Sequence, residues 1–85
     1  MKNLKEYITE RTLGEGWKII TQGSYKACIL SFEEPSEEYG IDGGRISKLS
    51  INKGKQLLCN YDRGWDVEPK EEVKKFYNEI LNKYN

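Results

Sequence analysis

Four short runs of apolar, β-branched and aromatic residues constrain the fold of this 85-residue chain more than any other feature. The runs cover residues 17–22, 25–32, 45–51 and 55–61. Gly23-Ser24 joins the first two runs and Asn52-Lys53-Gly54 joins the last two, and both connections have the length and glycine content of β-hairpin turns. Between the hairpins, a proline and four glutamates predict a solvated loop over residues 33–38. The pattern predicts a four-stranded antiparallel meander.

Helical spacing of apolar residues lies on both sides of these strands. Leu4, Tyr7, Ile8 and Arg11 share one helical face, which predicts a short N-terminal helix from Asn3 to about Thr12. Pro69 suits the first turn of a second helix, whose apolar stripe is Val73, Phe76, Tyr77, Ile80, Leu81 and Tyr84. The predicted fold class is therefore α+β: a short N-terminal helix, a four-stranded antiparallel meander, and a C-terminal helix packed on the sheet. We expect a single domain over residues 1–85.

Charge and hydropathy restrict the partners. Lysine plus arginine and aspartate plus glutamate each number 14, so the formal net charge is zero, whereas nucleic-acid-binding proteins usually carry a basic excess. No apolar stretch is long enough to cross a membrane, and the first residues lack the apolar core of a secretion signal. We expect a cytoplasmic protein with no nucleic-acid or membrane partner. A net charge near zero and apolar residues on both sheet faces favour a homo-oligomer.

The chain contains no histidine, which removes imidazole acid-base chemistry, Ser-His and Cys-His nucleophile pairs and histidine-ligated metals. Cys28 and Cys59 both fall within strand-like apolar runs, and in a reducing compartment such cysteines are usually small buried hydrophobic residues. We therefore expect no metal site, no cofactor and no catalytic residues.

Two glycine-containing polar and aromatic segments flank the second predicted hairpin, and they supply the candidate site. The first tract is residues 39–45 and the second tract is residues 60–66. Antiparallel pairing of residues 45–51 with residues 55–61 would bring Arg45 toward Tyr61, so we expect one shared surface. Its candidate ligand-binding residues are Tyr39, Asp42, Gly43, Gly44, Arg45, Asn60, Tyr61, Asp62, Arg63, Trp65 and Asp66.

Each tract has a functional and a structural interpretation. In the first tract, the backbone N–H groups around Gly43 and Gly44 would form an anion-binding nest beside Arg45, or the glycines would simply form a turn into the next strand. In the second tract, Tyr61 or Trp65 would stack on a ring while Arg63 grips phosphate or carboxylate. Alternatively, the second tract is a structural corner in which Trp65 packs over the core.

Two long motifs support a resemblance to a known group of proteins. Tyr39-Gly-Ile-Asp-Gly-Gly-Arg-Ile-Ser-Lys-Leu49 and Asn60-Tyr-Asp-Arg-Gly-Trp-Asp66, followed by a closing helix, resemble a family of small proteins of unknown function from Firmicutes and their phages. The resemblance covers about the C-terminal two thirds of the chain and does not include the N-terminal helix. It implies a small accessory protein of a mobile element and no particular reaction.

These observations lead to three hypotheses of different classes. The first is a non-enzymatic binding protein that sequesters a nucleotide-like signalling molecule, with Arg45 and Arg63 on phosphate and with Asn60, Asp42 or Asp66 on polar edges. The second is an inhibitor or adaptor that masks a host protein through the surface of both tracts. The third is an enzyme with Asp62 or Asp66 as general base, which lacks an evident nucleophile, second acid or metal cluster.

Overall fold

The computed structural model describes residues 9–85. It consists of a six-stranded antiparallel sheet followed by one α-helix. Neighbouring strands in the sheet are also neighbours in sequence, so the sheet is a simple meander. The strands are β1 (Thr9–Gly14), β2 (Trp17–Gln22), β3 (Tyr25–Ser31), β4 (Ile46–Lys53), β5 (Gln56–Asp62) and β6 (Trp65–Val67). The helix α1 is Lys74–Tyr84, directly preceded by a 3-10 turn at Glu71–Val73; another 3-10 turn, Ile41–Gly43, interrupts the β3–β4 loop.

The predicted four-stranded fold with an N-terminal helix is wrong, because the sheet has two further strands. The predicted helix over residues 3–12 is strand β1 from Thr9 onward, and its residues 3–8 lie outside the described part of the chain. Gly14, Glu15 and Gly16 all have positive φ angles, so this segment forms a tight turn that folds β1 back onto β2. Pairing with β2 therefore overrides the local helical spacing.

The second missed strand, β6, lies inside the second tract. Arg63-Gly64 forms a turn that places Trp65 opposite Tyr61 on β5. Arg63 occupies the left-handed region at φ 58°, a conformation that the sequence does not announce because residues other than glycine adopt it rarely. A segment interpreted as a recognition tract or a structural corner therefore contains the start of a short edge strand.

The turn between β4 and β5 lies further along the chain than predicted. Lys53 pairs with Gln56, so Gly54-Lys55 forms the turn instead of Asn52-Lys53-Gly54, and the register shifts once more between Ile51 and Asn52. As a result Leu49, not Arg45, faces Tyr61. The Arg45 backbone oxygen instead accepts a hydrogen bond of 3.0 Å from the Phe32 N–H. The expected approach of Arg45 to Tyr61 is wrong for this reason.

Helix α1 packs on one face of the sheet, as its apolar stripe predicts. Phe76 and Ile80 are fully or almost fully buried, together with the preceding Val73. The strand residues of this core are Ile20, Ala27, Ile29, Ile46, Leu49, Ile51, Leu58, Cys59 and Tyr61. Each such aliphatic or aromatic side chain contributes about 1.5–3 kcal/mol on burial, so this interface supplies most of the stability. No helix among residues 9–85 is long and apolar enough to cross a membrane.

Asn85, directly after α1, fixes the end of the β3–β4 loop. Its side-chain oxygen accepts from the Ile46 N–H at 2.9 Å, and its side-chain nitrogen donates to the Ile41 oxygen at 3.0 Å. A side chain at Gly44 would overlap the Asn85 amide, and one at Gly40 would overlap the Gly44 carbonyl oxygen. The glycines of the first tract therefore allow the loop to close around Asn85.

Candidate functional site

The two tracts meet in the folded protein through Tyr39. The Tyr61 hydroxyl donates a hydrogen bond of 2.9 Å to the Tyr39 backbone oxygen. The Arg63 guanidinium carbon lies 5.9 Å from the centre of the Tyr39 ring, which is a cation–π contact. Residues 22 and 24 positions apart in sequence thus form one local cluster, although the contacts differ from the expected one between Arg45 and Tyr61.

A cavity of about 350 Å³ adjoins this cluster. Its lining includes Leu30, Phe32, Ser36, Tyr39, Lys48 and Arg63, and we call it the Tyr39–Arg63 groove. The Phe32 and Tyr39 side chains are 51% and 45% exposed, so two large rings are available to a ligand. The volume lies at the small end of the range for small-molecule sites, about 300–1,000 Å³.

Asp62 organises the two cations of the groove. One of its carboxylate oxygens lies 3.8 Å from Lys48 Nζ and 3.6 Å from Arg63 Nε. These side chains are all more than one third exposed, so each ion pair contributes less than about 1 kcal/mol to stability. The pairs orient Lys48 and Arg63 more than they stabilise the fold. Arg63 engages Asp62 through Nε, which leaves its two terminal nitrogens for an external acceptor.

The backbone of Arg63 is held firmly in its unusual conformation. Its N–H donates a hydrogen bond of 2.9 Å to the Ser47 backbone oxygen on β4. On either side of it, the Asp62 N–H donates a hydrogen bond of 2.9 Å to the Gly64 backbone oxygen. A non-glycine residue at positive φ costs of order 1 kcal/mol, and such residues cluster at ligand-binding positions. The turn therefore fixes the Arg63 side chain at the rim of the groove at a small cost in stability.

The aromatic residues of the second tract have structural partners. The rings of Trp65 and Tyr61 meet edge to face with centres 5.0 Å apart, and Trp65 also packs at 5.8 Å against Tyr77 of α1. Tyr61 is only 7% exposed, so it has no free face on which a ligand ring could stack. Burial raises the pKa of Tyr77 to about 12, with a further contribution from the Asp42 carboxylate. Asp42 and Trp65 thus belong to the helix side of the sheet, away from the groove.

The remaining candidates are also tied to local partners. The Asn60 side-chain nitrogen donates to an Asp66 carboxylate oxygen at 3.1 Å, linking β5 to β6. Within the first tract, the Gly43 and Gly44 N–H groups donate to the Gly40 and Ile41 oxygens. With these donors used inside the loop, the tract offers no open nest of N–H groups to an anion.

Arg45 lies at a second cavity, separate from the Tyr39–Arg63 groove. This cavity has a volume of about 410 Å³, and its lining includes Lys18 and Lys83. Phe32 lines both cavities. The structure therefore brings Tyr39, Asp62 and Arg63 together at the groove. Arg45 lines the other cavity, which shares only the Phe32 side chain with the groove.

The sequence-based prediction missed several groove residues. The sequence pattern predicts Phe32 and Lys48 as strand residues and Ser36 as part of a solvated loop. The alternation along β3 contains a signal for Phe32. Ala27 and Ile29 face the core, so Leu30, and Phe32 two residues further on, belong to the opposite face of the sheet. The groove uses that second face of the sheet.

Within residues 9–85 no group of three histidine, cysteine, aspartate or glutamate side chains is close enough to hold a metal ion. Cys28 and Cys59 are free thiols. Burial raises the pKa of Cys59 to about 12, so this thiol stays protonated and unreactive at neutral pH.

Fold and site together define a small antiparallel sheet protein, covered by a helix on one face and bearing an aromatic, cationic groove. The chain belongs to the family described as a domain of unknown function, DUF7678, whose model matches residues 15–85. Strand β1 precedes the matched region. No match was found among curated proteins or among solved structures.

Proposed function

We propose that this protein is a non-enzymatic binding module that takes a ring-bearing, anionic ligand of the nucleotide class in the Tyr39–Arg63 groove. The observation that carries the proposal is the convergence of Tyr39 and Arg63, from separate tracts, on a cavity that also exposes Phe32. Exposed rings stack on flat ligands, and a guanidinium binds phosphate through paired hydrogen bonds.

The groove residues divide between ring and anion recognition. Phe32 and Tyr39 offer ring faces to a base, while the terminal nitrogens of Arg63 and the ammonium group of Lys48 attract phosphate. Asp62 holds both cations at the groove, and a bound phosphate must compete with this carboxylate for them. A volume of about 350 Å³ suits one base with its sugar, and further parts of the ligand would extend along the open side.

The biological setting is part of the same proposal. The resemblance of both motifs to proteins of Firmicutes and their phages supports a phage- or prophage-borne protein that acts stoichiometrically by sequestering a signalling molecule. We place it in the cytoplasm, where Cys28 and Cys59 would remain reduced, consistent with their free thiols.

Isothermal titration of the full chain against cyclic dinucleotides, ADP-ribose derivatives and simple nucleotides tests the proposal. At least one ligand is expected to bind, and Tyr39→Ala and Arg63→Asn each to weaken its affinity by about tenfold or more. Asparagine is the appropriate replacement for Arg63 because it tolerates positive φ, so the loss reports the side chain and not the turn.

Two matched controls accompany these variants. Leu57→Ala removes an exposed apolar side chain, and Lys55→Gln an exposed cation, both outside the groove lining. Both controls are expected to bind like the wild type. No heat with any ligand, or equal losses in groove and control variants, would contradict the proposal.

A second candidate function is masking of a host protein, and the exposed rings favour it. Phe32 and Tyr39 are 51% and 45% exposed beside Arg63, and aromatic residues with arginine dominate the energetics of protein interfaces. Affinity capture from host lysate distinguishes this function, since a stoichiometric partner should be retained by the wild type and Leu57→Ala and lost with Tyr39→Ala. Retention of a small molecule alone would support the first candidate.

A further inference from the structure

The cavity beside Arg45 concentrates positive charge on a chain whose formal net charge is zero. Lys18 of β2, Arg45 before β4 and Lys83 of α1 all line it, and Glu33 is the acidic residue among its lining groups. We call this cavity the basic pocket. Within residues 9–85, none of these three cations forms an ion pair, whereas Lys48, Arg63 and Lys74 do. The cations of the basic pocket are therefore available to an external anion.

The walls of the basic pocket are bound to one another. The Ser31 N–H donates to the Gly16 oxygen at 2.9 Å, and the Ser31 hydroxyl donates to the Tyr84 oxygen at 3.2 Å. The Arg45 N–H donates to the Asn85 oxygen at 3.3 Å. Strand, loop and helix are thus joined around the cavity, so the backbone that carries the cations is positioned before any ligand arrives.

Tyr84 adds a polar group at the same wall. It is 8% exposed, and its buried hydroxyl lies close to Lys83 and to the Glu10 carboxylate. Burial and the nearby Glu10 carboxylate raise the pKa of Tyr84, so the hydroxyl stays protonated at neutral pH. Lys83 Nζ lies 5.4 Å from the Tyr84 ring centre, which holds this lysine near the pocket.

We propose that the basic pocket is a phosphate-binding site, in which Lys18, Arg45 and Lys83 bind the phosphate group of a phosphomonoester or free inorganic phosphate. The site is distinct from the Tyr39–Arg63 groove, with Phe32 between the two. Three cations around one cavity suit a dianion better than a carboxylate, because each phosphate oxygen can accept from a separate donor. The volume of about 410 Å³ leaves room for the group that carries the phosphate.

A structural role for the same cations is the competing explanation. Lys83 lies in the last turn of α1, where positive side chains interact favourably with the negative end of the helix dipole. In that case, removing the cations would lower stability, and phosphate would have no specific effect. The experiment must therefore separate stability from binding.

Titration of the full chain with inorganic phosphate and with glycerol 3-phosphate, at low ionic strength, tests the proposal. Both probes are expected to bind, and Lys18→Gln, Arg45→Gln and Lys83→Gln each to weaken binding by about tenfold, the effect of losing a charge-assisted hydrogen bond. Lys26→Gln and Lys70→Gln, at exposed lysines elsewhere, are the matched controls and should bind as the wild type does.

Thermal unfolding supplies the second measurement. Phosphate should raise the melting temperature of the wild type and of the two controls, and should leave that of a Lys18→Gln/Arg45→Gln/Lys83→Gln variant unchanged. Far-ultraviolet circular dichroism should show that the triple variant is folded. Should it not fold, the three single variants decide the question by titration alone.

The proposal is overturned if neither probe binds the wild type, or if the pocket and control variants lose binding equally. These results are separable from those of the groove, because Tyr39→Ala and Arg63→Asn should bind inorganic phosphate normally. Binding that disappears only in the groove variants would assign the anion to the Tyr39–Arg63 groove and reject the basic pocket.

Discussion

Asn85 carries an unusual share of the local structure for a single side chain. It satisfies the Ile46 N–H and the Ile41 oxygen through its amide, and the Arg45 N–H through its backbone oxygen. These contacts join α1 to the loop that holds Tyr39 and Arg45. The positions of both cavities therefore depend on one amide group.

Asn85→Ala is expected to lower the free energy of unfolding by about 1–3 kcal/mol, because two buried or half-buried backbone groups lose their partners. Urea unfolding followed by tryptophan fluorescence measures the change. Asn82→Ala, at an exposed position of the same helix, should change stability by less than about 0.5 kcal/mol. Equal effects of the two substitutions would show that the Asn85 contacts do not stabilise the loop.

Gly40 and Gly64 provide a second comparison at this scale. A side chain at Gly40 would overlap backbone of Gly44 and Ser36, whereas one at Gly64 meets open space. Gly40→Ala is therefore expected to cost more than about 2 kcal/mol and Gly64→Ala less than about 1 kcal/mol. Chemical unfolding of both variants checks this, and a tolerated Gly40→Ala would mean that the loop closes differently.

At the scale of elements, β2 and β3 and most of β4, β5 and α1 could be predicted from the sequence. Their runs are long, their alternation is regular, and Gly23-Ser24 forms the expected turn between Gln22 and Tyr25. Strand β1 could not be predicted, because Thr9–Gly14 has no core-facing alternation: all six of its residues are exposed. Strand β6 has three residues, too few for any period to be visible.

The candidate site was predictable to the same limited degree. The composition of the two tracts indicated that they belong together, and Tyr39, Asp62 and Arg63 do meet. The contacts within the site depend on the β4–β5 register. The sequence predicts the turn too early in the chain, and in the observed register Leu49 takes the place opposite Tyr61 that was expected for Arg45. Packing between residues far apart in the chain, such as Trp65 on Tyr77, cannot be predicted from local sequence patterns.

Strand β6 is expected to depend on Trp65 for its attachment. The tryptophan ring contacts Tyr61 and Tyr77, and each aromatic pair contributes about 0.5–1.5 kcal/mol beyond its buried area. Trp65→Ala should therefore destabilise the protein by about 1–3 kcal/mol in urea unfolding. Leu57→Ala, which removes a side chain of similar exposure from β5, is the control and should cost less than about 1 kcal/mol. Equal costs would show that the ring contacts add nothing.

At the scale of the whole molecule, the Cys59 thiol and the Tyr77 hydroxyl predict that the free energy of unfolding falls at alkaline pH. The pKa of Cys59 is raised from 9.0 to about 12 and that of Tyr77 from 10.0 to about 12, in both cases mainly by burial. Below about pH 8 both groups are neutral in the folded and unfolded chains. As the pH rises toward 12, the unfolded chain loses these protons and the folded chain keeps them, so the free energy of unfolding falls.

Urea midpoints measured from pH 7 to pH 11 test this expectation. The midpoint should be nearly constant up to about pH 8 and then decline, and Tyr77→Phe should make the decline shallower because one titrating group is gone. An equally steep decline in Tyr77→Phe would show that Tyr77 ionises as readily in the folded protein as in the unfolded chain.

At the scale of the whole molecule, two of the cavities lie on either side of Phe32, and the proposed function depends on the groove formed where the two tracts meet. The most direct test is a titration of the ¹⁵N-labelled full chain with the nucleotide panel, followed by amide NMR. Binding in the Tyr39–Arg63 groove predicts shift changes concentrated at residues 30–32, 36–39, 47–48 and 62–64, and none at the Gly23-Ser24 and Gly54-Lys55 turns. Changes confined to those turns, or no change with any member of the panel, would contradict it.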